Sequence, residues 1–189
     1  LSKAIPSFLK VKNVETVDEM AFSFQKDIFE RNPRIAIFCA AVLDFEISKK
    51  LSGKATSKKD WTIHLSPSKK IISEIEGDGF MKVGFKLESG VSMEVLKEKM
   101  LESAEKNKCS FIVGNLLQDV NTEEHRALIW SRKTNSFYEL KSKKEIALCL
   151  ADLLEKSDLE FVNQLPTSAH RARTIGRLHK KSRDLSART

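Results

Sequence analysis

Arg34-Ile35-Ala36-Ile37-Phe38-Cys39-Ala40-Ala41-Val42-Leu43 is a nearly unbroken apolar run that stops at Asp44. It is too short to cross a membrane and lacks the alternation of a strand with one wet face. Its pattern is that of a strand covered on both sides, as in a parallel sheet. Upstream, Thr16 and Glu19 stand at capping-box spacing, and Met20, Phe24 and Ile28 recur every four residues. This predicts an amphipathic helix over 16–31, stopped by Pro33. Downstream, Glu46 to Asp60 is rich in Ser, Lys and Gly without any period, and is expected to be a mobile loop of a length that is often functional.

Further along, Trp61 to Leu65 alternates like a short strand, and Ser68 to Glu76 reads as a short helix. The Gly77-Asp78-Gly79 turn leads into a strand over Phe80 to Phe85. Ser92 caps a helix running to about Asn107, with Met93, Leu96, Met100 and Ala104 on one side, and Cys109 to Gly114 follows as another buried strand. Arg126–Ser131 and Ser136–Leu140 predict a terminal hairpin, and Ser142 with Glu145 opens a last helix through a second capping box. Helices alternating with buried strands predict a three-layer α/β/α, Rossmann-like domain with a mostly parallel sheet and an antiparallel terminal hairpin.

The 189 residues, 41% of them hydrophobic, suffice for one domain with a real core. The net charge of +7 is not spread evenly: residues 166–189 hold seven Arg and Lys against the single acid Asp184. The reading is therefore a near-neutral domain over 1–165 and a basic tail over 166–189, expected to be disordered. Clustered Arg and Lys in such a tail would suit nucleic acid or an acidic partner, and the neutral body argues against nucleic-acid binding as the main role. Cys39, Cys109 and Cys149 are too few and too scattered for a disulfide framework or a zinc site. All three lie in apolar stretches and are expected to be buried thiols in a reducing, cytoplasmic setting, with no membrane contact.

In open α/β sheets ligands sit beyond the carboxyl ends of the strands, which nominates Asp44, Phe85 and Asn115. Neither G-x-G-x-x-G nor G-x-x-x-x-G-K-[ST] occurs, and the four histidines are isolated, so pattern alone predicts no metal ligands and no complete phosphate loop.

The order of several segments adds more. Val14-Glu15-Thr16-Val17-Asp18-Glu19-Met20 is followed by Ala40-Ala41-Val42-Leu43-Asp44-Phe45, then Val83-Gly84-Phe85-Lys86-Leu87-Glu88, Ile112-Val113-Gly114-Asn115, Glu124-His125-Arg126-Ala127 and Ser142-Lys143-Lys144-Glu145-Ile146-Ala147. Over residues 8–156 this series resembles the phosphopantothenoylcysteine synthetase (phosphopantothenate-cysteine ligase) family of coenzyme A biosynthesis. The resemblance implies a dimeric enzyme that activates the 4′-phosphopantothenate carboxylate with CTP or ATP and Mg²⁺, and then joins it to cysteine. It implies nucleotide binding by Ala40, Ala41, Asp44, Lys54, Lys69, Lys70, Ile71, Ile72, Phe85, Lys99 and Lys106. Lys54 would be the catalytic loop lysine and Asn115 a substrate-pocket residue.

The chain departs from the family at Thr56, where a second loop lysine is usual, at Ala55, and at Leu116 after Asn115. Family members also begin with a strand, a glycine-rich loop and an Asn-containing segment. Leu1 would fall after these, so a partial domain is expected, one that turns over phosphopantothenate poorly or not at all by itself. The alternative is a noncatalytic, regulatory nucleotide-binding protein on the same fold.

Overall fold

The structure, a computed structural model, describes residues 6–47, 53, 60, 62–75, 80–120 and 125–164, with side chains through 158. Helix α1 spans Val17–Arg31. Thr16 caps it by accepting the Glu19 amide, while the Glu19 carboxylate accepts from the Glu15 amide one residue before the cap. Asn32 ends the helix in the left-handed region, at φ 44°.

Strand β1, Ile35–Phe38, lies at one side of a five-stranded sheet with β4 (Met81–Glu88), β5 (Phe111–Leu116), β6 (Ala127–Ser131) and β7 (Ser136–Leu140), in the order β1-β4-β5-β6-β7. The β1–β4 and β4–β5 pairs are parallel, and β5–β6 and β6–β7 antiparallel. This is the expected Rossmann-like arrangement of a mostly parallel sheet, flanking helices and a closing hairpin.

Helix α3, Met93–Lys106, supplies the crossover between β4 and β5 and explains where the core sits. Its Leu96, Met100 and Ala104 are fully buried with Ile112 and Leu116 of β5 and Leu128 and Trp130 of β6. Register puts Gly84, Ile112 and Trp130 side by side, and likewise Gly114 and Leu128, so this face of the sheet meets α3. A side chain at Gly114 would place its Cβ 2.2 Å from Met100 Sδ, so glycine there lets α3 approach the sheet closely. Arg132 closes the C-terminal end of α3: its guanidinium donates to the carbonyls of Ala104 and Cys109, both at 2.8 Å, and pairs with Glu105.

Several expected boundaries shift. The apolar run yields a strand only over Ile35–Phe38, and its remainder leaves the sheet, with Leu43 71% exposed. Apolar composition reports a tendency to be buried, and it does not fix how far a ladder extends. The strand expected over 61–65 is instead β3, Leu65–Pro67, paired antiparallel with β2, Phe45–Ile47, in a separate ribbon. The expected loop therefore starts with a strand, and the rest of it, including Lys54 and Thr56, falls almost entirely outside the described residues. The helix expected over 68–76 is the single turn α2, Ile71–Glu74. Phe85 is interior to β4 rather than at its end, and Asp44 comes well after β1.

Of the three thiols only Cys109 is buried. Cys39 is exposed because it lies where the chain has left the sheet, and Cys149 is partly covered.

Among the described residues, those up to Ile146 belong to one compact unit and those from Ala147 onward to another. Helix α4, Lys143–Gln164, begins at the capping box, where the Ser142 hydroxyl accepts the Glu145 amide and the Glu145 carboxylate accepts that of Lys141. Leu150 and Leu154 of the second unit are buried. The basic stretch 166–189 lies outside the described residues. Among the described residues no helix is long and apolar enough to cross a membrane.

Candidate functional site

The chain leaving β1 passes through the exposed Ala40 and Ala41 and reaches Asp44 just before the β2–β3 ribbon. Its position is fixed by Ser68, which follows β3 at the same end of the ribbon. This buried residue donates its amide to the Asp44 carbonyl at 2.9 Å and its hydroxyl to the Leu43 carbonyl. Two residues on, the Lys70 ammonium donates to the Asp44 carboxylate in an ion pair. That hydrogen bond, the charge of Lys70 and the more distant charge of Lys86 hold the Asp44 carboxyl below its ordinary 3.8. Two segments separated by more than twenty residues thus meet at one carboxylate.

A second charge group forms where β4 ends. Lys86 and Glu88 are two apart on a strand and share the α3 face. The Glu88 carboxylate, whose side chain is 14% exposed, takes the Lys86 ammonium at 2.9 Å and the Lys99 ammonium from α3 at 2.6 Å. The bond from Lys86, then that from Lys99, holds Glu88 below its ordinary 4.5. The charge of Lys86 reaches Asp44 from a distance, so the Asp44–Lys70 pair and the Lys86–Glu88–Lys99 group neighbour one another as a string of three lysines and two carboxylates with a net positive charge. Such a string suits a polyanionic ligand, whose oxygens can take over lysine protons now held by carboxylates.

The candidate residues do not all converge on it. Asp44, Lys70 and Lys99 belong to the string, and Lys69 is exposed beside it in sequence. Ile71 is buried and Ile72 half-buried against the position of Gly84, so their contribution to a ligand would come through the main chain. Phe85 and Leu87, with the Asn115 paired to Leu87, project from the opposite face of the sheet. Lys106 lies two turns beyond Lys99, about 10 Å further along α3, and is exposed at the end of that helix. Lys54 lies outside the described residues.

Lys86 and Glu88 lie in the segment Val83–Glu88, and the sequence alone assigns them no role. Their alternation along β4 was the available signal, and their convergence with Lys99 required the crossover geometry. A cleft of about 270 Å³ between α1 and β1, lined by Phe24, Ile28, Pro33 and Ile35 among others, contains none of the candidate residues. Among the described residues no three His, Cys, Asp or Glu side chains cluster as a metal would require. With Asp44 and Glu88 both engaged by lysines, these side chains do not fit a protein-ligated Mg²⁺.

Known proteins align with this arrangement. The model of the DNA/pantothenate metabolism flavoprotein C-terminal domain matches residues 1–157. The coenzyme A biosynthesis bifunctional protein CoaBC of Thermococcus kodakarensis is 30% identical over 156 residues. That match takes in 81% of this chain, which spans only 39% of the length of that relative. Among solved structures, the DNA/pantothenate metabolism flavoprotein from Streptococcus pneumoniae superposes with a TM-score of 0.71 at 21% identity, over 82% of this chain and 76% of that one. The C-terminal domain of a CoaBC gives a TM-score of 0.62 at 19% identity, over 84% and 71%. A Cab2 variant in complex with phosphopantothenate-cysteine gives 0.60 at 19%, over 79% and 53%. With the family model covering most of its length, the chain belongs to the DNA/pantothenate metabolism flavoprotein C-terminal domain family.

Proposed function

We propose that this chain serves as the phosphopantothenate-cysteine ligase region of a coenzyme A biosynthesis enzyme. In the proposed reaction, a carboxylate oxygen of 4′-phosphopantothenate attacks the α-phosphorus of CTP or ATP and displaces pyrophosphate. The cysteine amine then attacks the acyl carbon, and the nucleoside monophosphate leaves as the amide forms. The observation that carries this reading is the charge string at the sheet edge, in a chain related to CoaBC. A carboxylate becomes a good electrophile only when one oxygen is made a leaving group, and charge developing on the phosphates must be offset by fixed cations. Lys70, Lys86 and Lys99 would supply these, with Lys54 from the loop as the catalytic lysine that closes over the intermediate.

Asp44 would orient the nucleotide, with Ala40 and Ala41 lining its base through the main chain, and Asn115 would lie at the substrate pocket. Mg²⁺ belongs to this reading as the counter-ion of the triphosphate. A homodimer in the cytoplasm completes it.

The test is formation of phosphopantothenoylcysteine from 4′-phosphopantothenate, cysteine and CTP or ATP, followed by mass spectrometry in the native polypeptide that carries these residues. Product that disappears in Lys54→Met and falls in Lys99→Met supports the ligase. Nucleotide binding without product favours a regulatory nucleotide-binding protein, and neither binding nor product overturns both readings.

A further inference from the structure

Lys82 lies within β4, 5% exposed, with its side chain on the face shared with α3. Burying an ammonium is costly unless its protons are taken up. Lys82 Nζ donates to the carbonyl of Ile72 in α2 at 3.2 Å and to the carbonyl of Asn107, the C-cap of α3, at 3.4 Å. The end of a helix, where carbonyls lack intrahelical partners, is where a cation is favoured. Asn107 also holds α2 directly, its Oδ1 accepting the Ser73 hydroxyl at 2.7 Å, while its Nδ2 donates to the Ser103 carbonyl at 2.9 Å. Two successive residues of α2 are therefore fastened to the end of α3, one through Lys82 and one through Asn107.

A helix of one turn cannot hold itself in water. What it holds here is Lys70, whose carbonyl accepts the amides of Ser73 at 2.9 Å and Glu74 at 3.2 Å, and whose ammonium meets Asp44. A continuous path leads from the buried Lys82 through Ile72 and Lys70 to the carboxylate at the sheet edge.

We propose that Lys82 is a positioning residue: from inside the sheet it fixes the α2 turn, and thereby sets where Lys69 and Lys70 present their charges to the triphosphate of a nucleotide. The ligand half of this inference rests on the reading of the Asp44–Lys70 edge as a nucleotide site, and the clamp itself does not.

The experiment compares wild type with Lys82→Met, Lys82→Arg and Ser73→Ala. It reads hydrogen exchange by mass spectrometry over 69–75 and over 111–116, and calorimetric binding of CTP and ATP with Mg²⁺. Loss of a charge-assisted bond should raise exchange over 69–75 in Lys82→Met about tenfold and weaken nucleotide binding about five- to tenfold, with 111–116 unchanged. Lys82→Arg should recover part of both. Ser73→Ala should shift both in the same direction by less, and it decides the matter if Lys82→Met does not fold. Unchanged protection over 69–75 in the variants overturns the clamp. Lost protection with wild-type nucleotide affinity overturns its role at the site. If wild type binds neither nucleotide, the functional reading and the ligand half fall together, while exchange alone still decides the clamp.

Discussion

Helix α3 with β5 and β6 encloses Leu96, Met100, Ala104 and Ile112 almost completely, and Val83, Phe111 and Ile129 on the other face of β4 to β6 are buried as fully, whereas the β1 side of the same unit buries little. Helix α1 has no buried residue, and Phe22, Leu43, Phe45, Ile47 and Leu65 are all more than half exposed. Asp44 and Lys70 lie on this sparsely covered side, and Lys86, Glu88 and Lys99 stand at its boundary with the core. Stability is therefore concentrated in one half and candidate chemistry in the other. Substitutions should separate the two cleanly.

The largest expected contrast is in thiol chemistry. Burial pushes the Cys109 thiol up to about 11, despite Lys82 and Arg132 nearby, while Cys39 is exposed. Since the thiolate is the reactive species, a disulfide reagent at pH 8 should modify Cys39 at least about a hundredfold faster than Cys109 in the native chain. Peptide mapping of the modified cysteines checks this, and equal rates would mean the α3 core opens readily.

Next comes packing. Leu96→Ala in the core should cost about 2–5 kcal/mol, and Phe45→Ser on the ribbon within about 0.5 kcal/mol, as read by urea denaturation. Comparable losses would erase the distinction between the halves. Arg132→Ala should fall between them, at about 1–3 kcal/mol, because it leaves the Ala104 and Cys109 carbonyls without their charged donor.

The smallest effect lies at the boundary. Glu88 titrates below its ordinary 4.5 because Lys86 and Lys99 favour its charged form. Its pairing therefore contributes fully above the unfolded value and is lost as pH falls through the lower folded one. Melting curves of wild type and Glu88→Gln should differ modestly at pH 6 and converge below pH 4.5. A gap that widens on acidification would contradict this sign.

Much of the fold was legible because α3 and its neighbours obey strong periodic rules: Leu96, Met100 and Ala104 recur on one face, and both capping boxes stand at their expected spacing. The β2–β3 ribbon was not, since Phe45, Ile47 and Leu65 are apolar yet exposed, and main-chain pairing with the Ser68 clamp leaves no signature in hydrophobic pattern. For the site, the family resemblance implied Asp44, Lys70 and Lys99 along with Phe85 and Asn115, and the register of β4 with β5 was needed to see that the last two lie on the face opposite Lys86 and Glu88. Lys86 and Glu88 became visible only when α3 brought Lys99 to the end of β4. A strand's alternation can be read locally, whereas a three-residue contact across a crossover cannot.

The measurement that bears most directly on the account is calorimetric titration of CTP and ATP, each with Mg²⁺, into wild type, Asp44→Asn and Lys99→Met, with a melting curve for each protein. The account predicts saturable binding of a nucleotide, weakened about tenfold in each variant as expected for a lost charge-assisted contact, with Tm nearly unchanged. Absence of binding to both nucleotides, or binding indifferent to both substitutions, would contradict it.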